Sequence, residues 1–333
     1  MSKVSILGSG AWASALANVL SDNGKSSLLY SKNVDKVNEI NTLHTNSRNI
    51  DIKFSSLVSA TSSIKDLLMF SDILLLAVKS DSLPNYISEI KKIIGSKKIH
   101  IINVIKGFIG ENNLTVSSFI NNELKDNLLS FTSLVGPSFA IEVVKKDLTC
   151  VTAVSLNNEI ALKVQKLFSN QYFRVYTSDD LIGCEISSSY KNAIAIGSGI
   201  LSGLNYGDNA RSALITRGLN EIIKFGLFFG AKEHTFYGLS GIGDLLLTCT
   251  STTSRNFMFG YNLAKKSFSS ENSLLENQTI EGIKTIKVIH DISKKNNLQT
   301  PIIDSLYNVI YLNRSISEEV DSLMLRPLKV ENE

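Results

Sequence analysis

The chain has 333 residues, of which 43% are apolar and 20% are charged, which is ordinary for a globular protein with room for two domains. Its 34 basic and 31 acidic residues leave a net charge of +3 and are dispersed along the sequence. This balance predicts no nucleic-acid partner. The longest uninterrupted apolar run, residues 73–78, is too short to span a bilayer, so no integral membrane segment is expected.

The cysteines and histidines lack the spacing of a disulfide framework or a metal site. Cys150, Cys184 and Cys249 are odd in number and far apart, which argues against paired cysteines or a cysteine-based zinc site. The four histidines share no ligand spacing, so we expect no metal. Together with the composition, these features predict a cytoplasmic enzyme.

A glycine-rich turn follows the first predicted strand, residues 4–7. The turn reads Gly8-x-Gly10-x-x-Ala13 and leads into apolar residues at helical spacing. Gly8 allows a tight turn, Gly10 lets a pyrophosphate approach the backbone, and the small Ala13 lets helix and strand pack closely. A signal peptide is the weaker interpretation because polar residues and glycines interrupt the apolar stretch. The motif therefore predicts a dinucleotide-binding unit.

Short β-like runs alternate with helical patterns in the first half of the chain. The predicted strands are residues 4–7, 28–30, 73–78, 99–104 and 130–135, extended by 150–155 and 172–176. Such alternation predicts a doubly wound parallel sheet. Later segments have helical patterns: residues 185–201, 208–229, 254–266, 279–295 and 301–312, with a loop or helix junction at 267–277. We predict an α/β domain over residues 1–183 and an all-helical domain over 184–333.

Residues 241–256 combine polar and apolar side chains in a pattern typical of a lined cavity. Asp244 can cap a helix, which would place Thr248 on the same face one turn later. Ser254 can cap a second helix with Arg255 and Asn256 in its first turn, where backbone N–H groups and a guanidinium suit a phosphate. Two ordinary caps and a surface arginine are the alternative.

Three further polar clusters occur at strand ends or inside a helix. Lys106 follows the strand at 99–104, and Gly136 and Ser138 follow the strand at 130–135. The ends of strands are where open α/β sheets bind ligands, although Lys106 taken alone could be a surface lysine. Lys191 and Asn192 interrupt a small, apolar helix, so Lys191 either reaches solvent or is held in a cleft where it could exchange a proton.

Seven ordered blocks resemble the bacterial-type NAD(P)-dependent glycerol-3-phosphate dehydrogenases over almost the whole chain. The blocks are residues 8–17, 106–107, 136–140 with Glu142, 191–192, 207–218, 241–256 and 280–282. The resemblance implies reversible hydride transfer between NADP or NAD and C2 of dihydroxyacetone phosphate, giving sn-glycerol 3-phosphate for phospholipid synthesis. It also implies an N-terminal Rossmann domain, a helical substrate domain and a homodimer.

The resemblance also implies roles for individual residues. Lys191 would be the proton donor, while Asp244 and Lys106 would tune its charge and orient the substrate hydroxyls. The remaining substrate-binding positions are Gly136, Ser138, Asn192, Thr248, Ser254, Arg255 and Asn256, with Arg255 holding the phosphate. The cofactor positions are Gly8, Gly10, Ala11, Trp12, Ala13, Lys32, Lys106, Ala140, Arg255, Thr279 and Glu281.

The sequence departs from the family pattern at a few positions. Ala11 stands where serine is usual, Lys79 and Leu148 where prolines are common, and Tyr190 where leucine is typical. None of these changes removes a charged group that the mechanism requires. They bear on affinity and cofactor preference more than on activity.

Cofactor preference is read from the end of the second strand. An NAD-specific fold usually places an acid there to bind the ribose 2′-hydroxyl. Here residues 28–30 are followed by Ser31, Lys32 and Asn33, and the first acid is Asp35. We therefore predict that NADPH is used at least as well as NADH; the alternative is a solvated Lys32 and equal use of both.

Two other functions remain open from the sequence. The first is a β-hydroxyacid or ketopantoate-type reductase, which would need a carboxylate site where this chain has a phosphate-like cluster at Ser254 to Asn256. The second is a non-catalytic nucleotide-sensing protein, which should lack a proton donor, whereas Lys191 and Asp244 are both present.

Overall fold

The computed structural model describes residues 3–110, 112–265, 280–328 and 330–331. The chain divides into two compact units, one comprising Met1–Ile186 with Ala231–Asp244 and the other Ser187–Gly230 with Leu245–Glu333. The predicted boundary at residue 183 falls inside a helix, Leu181–Gly203. Residues 231–244, which the sequence assigned to the helical domain, belong to the first unit. Part of the reason is Asp180, which accepts hydrogen bonds from the Lys232 backbone N–H and the Thr235 hydroxyl.

The first unit is built on an eight-stranded sheet with the order β10-β9-β8-β7-β6-β1-β2-β5, and a two-stranded hairpin, β3-β4, lies outside it. The strands are β1 Lys3–Leu7, β2 Ser26–Tyr30, β3 Thr45–Asn46, β4 Ile50–Lys53, β5 Val58–Thr61, β6 Ile73–Leu76, β7 Ile99–Asn103, β8 Leu128–Val135, β9 Thr149–Val154 and β10 Phe173–Ser178. Every pair in the large sheet is parallel except β8 with β9, which is antiparallel. The predicted doubly wound parallel sheet is confirmed apart from the antiparallel pairing of β8 with β9, and all seven predicted strands are present.

Helices cover the sheet and bury its apolar strands. The helices of this unit are α1 Ala11–Asp22, α2 Val34–Asn38, α3 Ile64–Phe70, α4 Leu83–Ile94, α5 Val116–Leu124, α6 Ala140–Val144 and α7 Asn158–Phe168, followed by the start of α8, Leu181–Gly203. All four residues of β6 are buried. A strand covered on both faces has no polar side, which is why these central strands read as continuous apolar runs.

The described residues of the second unit contain the rest of α8 and further helices. These are α9 Asp208–Phe228, α10 Asp244–Thr250, α11 Arg255–Ala264, α12 Glu281–Lys295, α13 Pro301–Tyr311 and α14 Ile316–Met324, with Asp244 itself counted in the first unit. Helices α8 and α11 approach closely: a Cβ on Gly199 would lie 1.9 Å from the Phe257 carbonyl oxygen, and a Cβ on Gly260 would lie 2.0 Å from that of Ile196. The glycines therefore fix the distance between the helices that carry Lys191 and Arg255.

Among the described helices, none combines the length and apolar character needed to cross a membrane. All three cysteines are free thiols. The predicted segment 267–277 lies outside the described residues.

A buried carboxyl group joins three helices of the second unit. Glu221 on α9 accepts hydrogen bonds from the Tyr190 hydroxyl on α8 and from the Ile302 backbone N–H at the start of α13, at 3.1 and 2.6 Å. Burial raises the pKa of Glu221 to about 7, although these hydrogen bonds oppose the rise. At lower pH the folded state therefore holds this carboxyl protonated.

We expect Glu221→Gln to reduce the pH dependence of stability. The pKa of Glu221 is raised from 4.5 in the unfolded chain to about 7 in the folded protein. Its contribution to the free energy of unfolding is therefore fully present below pH 4.5 and is lost as pH rises through 7. Within that window Glu221 should lower the free energy of unfolding of the native protein by up to ~1.4 kcal/mol per pH unit. Urea unfolding across this pH range tests it. A variant whose free energy of unfolding falls as steeply as that of the native protein would contradict the assignment.

Candidate active site

The glycine turn ends β1 and begins α1. Gly8 has φ +127°, and a Cβ there would lie 2.4 Å from the Ala77 carbonyl oxygen, so no other residue fits without displacing the end of β6. Gly10 is the N-cap residue of α1 and has no side chain that could bond the first N–H groups of the helix. The first turn of α1 also contains no acidic residue. A Cβ on Gly10 would meet nothing within 4 Å. The start of α1 therefore has open space beside Gly10 and no acid that would repel an anionic ligand.

The predicted neighbours of this turn lie where the motif needs them. Ala13 is buried, and Ala11 and Trp12 are partly buried against the same core. Ala140 begins α6 and packs on that core too. These residues fit a bound dinucleotide: the turn offers backbone donors, and the small side chains leave its surface accessible.

Lys32 lies beyond the end of β2, on the surface. Its Nζ is 4.7 Å from the centroid of the Tyr86 ring. Asn33 caps α2 by accepting a hydrogen bond from the Lys36 backbone N–H, and Asp35 follows in the first turn of that helix. The Lys32 ammonium group therefore places a positive charge at the end of β2, where a cation–π contact with Tyr86 stabilises its position.

Lys106 and Asp244 form an ion pair within the first unit, with Nζ 3.1 Å from Oδ2. The Asp244 side chain is 2% exposed and the Lys106 side chain 21%. Asp244 is the first residue of α10, and Thr248 lies four positions later in the same helix. The predicted cap is wrong in one respect: Asp244 has helical angles, φ −73° and ψ −29°, because the helical turn at Leu239–Gly243 leads directly into α10.

Gly136 and Ser138 follow β8, as predicted. Gly136 has φ +143°, and a Cβ there would lie 3.0 Å from the Val151 Cα. The Ser138 hydroxyl donates to the Gly136 carbonyl oxygen at 3.1 Å. The structure thus forms a tight turn with a partly exposed hydroxyl at this strand end.

Lys191 is buried in the second unit, with 4% of its surface exposed. Its Nζ donates to the Thr248 hydroxyl at 2.7 Å. Of the two possibilities raised by the sequence, a lysine reaching solvent and a lysine held inside the protein, the structure shows the second. A buried ammonium group that touches a hydroxyl is suited to transferring a proton.

Two asparagines, one of them the residue after Lys191, are hydrogen-bonded to the start of α12. Asn192 donates from Nδ2 to Glu281 Oε2 at 3.3 Å. The Asn256 Oδ1 accepts from the Gly282 backbone N–H at 3.0 Å. A Cβ on Gly282 would lie 2.6 Å from the Asn192 carbonyl oxygen, so this glycine allows the elements to approach.

Ser254 and Arg255 form the predicted helix start. The Ser254 side chain accepts from the Phe257 backbone N–H at 3.3 Å and caps α11. Arg255 is the first helical residue and is exposed. An exposed guanidinium beside a helix N-terminus is an arrangement that suits a phosphate.

The predicted residues fall into two groups. The first unit holds Gly8, Gly10, Ala11, Trp12, Ala13, Lys32, Lys106, Gly136, Ser138, Ala140 and Asp244. The second unit holds Lys191, Asn192, Thr248, Ser254, Arg255, Asn256 and Glu281. Thr279 lies outside the described residues. Within each group the structure adds contacts that the sequence did not predict.

Two buried polar residues near these groups were missed from the sequence. Asn46, in β3, donates to the Ser9 carbonyl oxygen of the glycine turn at 2.9 Å and to the Ser14 hydroxyl at 2.7 Å. Glu185, in α8, accepts hydrogen bonds from Ser117 and Ser133. Neither lies in a recognisable motif, and only their burial in the structure identifies them. Over the described residues, no group of three or more His, Cys, Asp or Glu side chains is arranged to hold a metal ion.

Comparisons with known proteins cover nearly the whole chain. The sequence profile described as NAD-dependent glycerol-3-phosphate dehydrogenase N-terminus matches residues 3–161, and the profile for the C-terminus matches residues 180–321. The glycerol-3-phosphate dehydrogenase [NAD(P)+] of Staphylococcus haemolyticus is 41% identical, covering 99% of this chain and 100% of its own.

Solved structures extend the comparison to the fold. The crystal structure of glycerol-3-phosphate dehydrogenase from Coxiella burnetii matches with a TM-score of 0.90 and 32% identity, covering 98% of this chain and 99% of its own. A probable 2-dehydropantoate 2-reductase from Bacillus subtilis matches with a TM-score of 0.57 and 15% identity, covering 94% of this chain and 100% of its own. At that identity the likeness shows a shared fold alone.

Proposed function

The chain belongs to the NAD-dependent glycerol-3-phosphate dehydrogenase family, and we propose that it catalyses the reversible NAD(P)H-dependent reduction of dihydroxyacetone phosphate to sn-glycerol 3-phosphate. The product would supply glycerophospholipid synthesis. The observation that carries the proposal is Lys191, a buried lysine hydrogen-bonded to Thr248, at the position where the family has its proton donor. A protein that only sensed nucleotides would have no use for such a group.

Proton transfer is the step assigned to Lys191. The bound nicotinamide supplies or accepts the hydride. Reduction of a ketone places negative charge on its oxygen, so a proton donor must lie within hydrogen-bond reach. Lys191 donates that proton in the reductive direction and accepts it in the oxidative direction. Thr248 holds the ammonium group in place through the 2.7 Å hydrogen bond.

Lys106 and Asp244 are assigned to orienting the substrate hydroxyls. The two side chains are paired at 3.1 Å, and the carboxylate is almost wholly buried, so both are held in a single arrangement. An ammonium donates and a carboxylate accepts, which together suit the hydroxyl and carbonyl groups of a short polyol. Gly136 and Ser138 add backbone and hydroxyl groups to substrate binding.

The phosphate is assigned to Ser254, Arg255 and Asn256. Binding energy from a phosphate that does not react can be used to position C2 for hydride transfer. Asn192 and Asn256 are fixed by Glu281 and Gly282, so this part of the second unit is pre-organised. Glu281 and Arg255 are also assigned to cofactor binding, together with Thr279.

The nucleotide is assigned to the glycine turn of the first unit. Gly8 and Ala13 would shape the turn, Gly10 would let the pyrophosphate approach the backbone, and Ala11, Trp12, Lys32, Lys106 and Ala140 complete the cofactor positions of this unit, with Lys32 at the ribose. We also expect a homodimer in the cytoplasm, without a nucleic-acid partner, as the sequence predicts.

A comparison of turnover with three ketones tests the proposed function. We expect the purified protein to oxidise NADPH with dihydroxyacetone phosphate and to do so far more slowly with dihydroxyacetone, because only the phosphorylated ketone engages Arg255. Ketopantoate should give no turnover. Turnover with ketopantoate but not with dihydroxyacetone phosphate would favour the alternative reductase, and cofactor binding without turnover of any ketone would favour a nucleotide sensor.

We expect Lys32→Asp to shift cofactor preference toward NADH. The substitution removes a cation from the strand end where a 2′-phosphate binds and adds a repelling carboxylate. The ratio of kcat/KM for NADPH to that for NADH should fall by about tenfold or more, the size of one charge-assisted contact. Lys65→Asp makes the same charge change on the exposed surface of α3 and serves as the control. A native enzyme that strongly prefers NADH would show the role given to Lys32 to be wrong.

A further inference from the structure

Glu185 lies at the centre of a buried hydrogen-bond network in the first unit. The carboxyl accepts from the Ser117 backbone N–H at 3.2 and 3.3 Å, from the Ser117 hydroxyl at 2.5 Å and from the Ser133 hydroxyl at 3.1 Å. Glu185 is 5% exposed and Ser133 is fully buried. Burial raises the pKa of Glu185 to about 7, while these same hydrogen bonds oppose the rise.

The network continues from Ser133 to the residue before Lys106. Asn103, fully buried at the end of β7, donates from Nδ2 to the Ser133 hydroxyl at 3.1 Å. The same side chain accepts from the Ile105 backbone N–H at 2.9 Å and donates to the Ile105 carbonyl oxygen at 3.2 Å. Asn103 therefore hydrogen-bonds to both the N–H and the C=O of Ile105, which fixes the direction in which the chain leaves β7.

The other end of the Lys106 segment is also attached to Glu185. The residues after Lys106 stay packed against the protein, since Phe108 and Ile109 are buried. The chain meets Glu185 again at Ser117, in the first turn of α5, where the carboxyl receives the backbone N–H and the hydroxyl. Between these points Ile109 and Leu114 form a pair of backbone hydrogen bonds at 2.8 and 3.1 Å. One carboxyl group therefore contacts the chain on both sides of Lys106.

We propose that Glu185 is a positioning residue for Lys106, acting through Ser133 and Asn103 at one end of the segment and through Ser117 at the other. The proposal rests on the proposed function, since it assigns Glu185 to the placement of a substrate-orienting lysine. A displacement of about 1 Å at an orienting group can cost two orders of magnitude in rate.

A double-mutant cycle tests the proposal. Ser133→Ala breaks the link to Asn103 with little change in volume, and Glu185→Gln alters the centre of the network. Each should lower kcat/KM for dihydroxyacetone phosphate by roughly tenfold, less than the cost of a displacement of about 1 Å at an orienting group. In a Lys106→Met background each should lower it by less than about twofold, because two residues that act through the same group are not additive.

Ser155→Ala is the matched control, because Ser155 is a buried serine of the same unit whose hydroxyl donates to the Phe131 carbonyl oxygen instead. Hydrogen exchange of peptides from residues 104–117 gives a readout independent of turnover: Ser133→Ala should accelerate it and Ser155→Ala should not. Equal losses of kcat/KM with and without Lys106, or unchanged exchange and turnover in Ser133→Ala, would overturn the proposal. If the native protein does not reduce dihydroxyacetone phosphate, the proposed function fails, whereas the exchange result still decides whether the network holds this segment.

Discussion

Replacing Lys191 with methionine is expected to lower kcat for dihydroxyacetone phosphate reduction by roughly 10² to 10⁴-fold, the usual contribution of an acid–base residue. Methionine keeps the length and apolar stem of lysine but cannot donate a proton. A loss at the upper end of this range is expected if the ammonium also stabilises the charge that develops on the ketone oxygen. Steady-state kinetics with saturating NADPH measure the effect.

Two controls separate this effect from damage to the fold. NADPH affinity should be unchanged, because Lys191 is assigned to the ketone and is not among the residues assigned to the cofactor. Lys224→Met makes the same substitution at an exposed position of α9 and should leave kcat near the native value. Near-native turnover with an unchanged pH profile in Lys191→Met would contradict the assignment of Lys191 as proton donor.

Arg255→Lys is expected to raise the KM for dihydroxyacetone phosphate by roughly 10 to 100-fold, the value of a bidentate charge-assisted contact. A guanidinium presents two parallel N–H groups to a phosphate, and an ammonium cannot reproduce that geometry. The effect should be small for unphosphorylated dihydroxyacetone. Initial rates over a range of each ketone concentration provide the comparison.

Direct measurement of NADPH binding is needed beside these kinetics, because Arg255 is also assigned to the cofactor. Arg314→Lys provides the control substitution, on an exposed arginine near Glu319. If the unphosphorylated ketone loses as much kcat/KM as the phosphorylated one, Arg255 is not the phosphate anchor.

The strands that the sequence missed, β3, β4 and β5, are short, whereas all the strands that it predicted except β6 have five or more residues. β6 reads as an unbroken apolar run because both of its faces are covered. β5 carries Val58-Ser-Ala-Thr61 at an edge of the sheet, and β4 alternates buried isoleucines with exposed charges over only four residues. Such short segments give too little periodicity to separate a strand from a loop. The antiparallel pairing of β8 with β9 was also not predicted, since a strand's own residues do not encode its neighbour's direction.

Local features of the site were more predictable than the contacts between its residues. The cap at Ser254 depends on a residue three positions away and was found from the sequence. The pair between Lys106 and Asp244 joins residues 138 positions apart, and the link from Glu185 to Ser133 joins residues 52 apart. Such contacts depend on how the sheet and the helices pack, and a short sequence pattern does not determine that packing. The sequence therefore supplied candidate groups for the site, and only the structure showed which of them contact one another.

The most direct test of the account is to follow the hydrogen that is transferred. The protein is incubated with dihydroxyacetone phosphate and NADPH in which both hydrogens at C4 of the nicotinamide are replaced by deuterium, and the product is examined by NMR and by a stereospecific enzymatic assay. We expect sn-glycerol 3-phosphate with deuterium at C2 and none of its mirror image. A product without deuterium at C2, or an equal mixture of the two enantiomers, would contradict direct and oriented hydride transfer to the ketone.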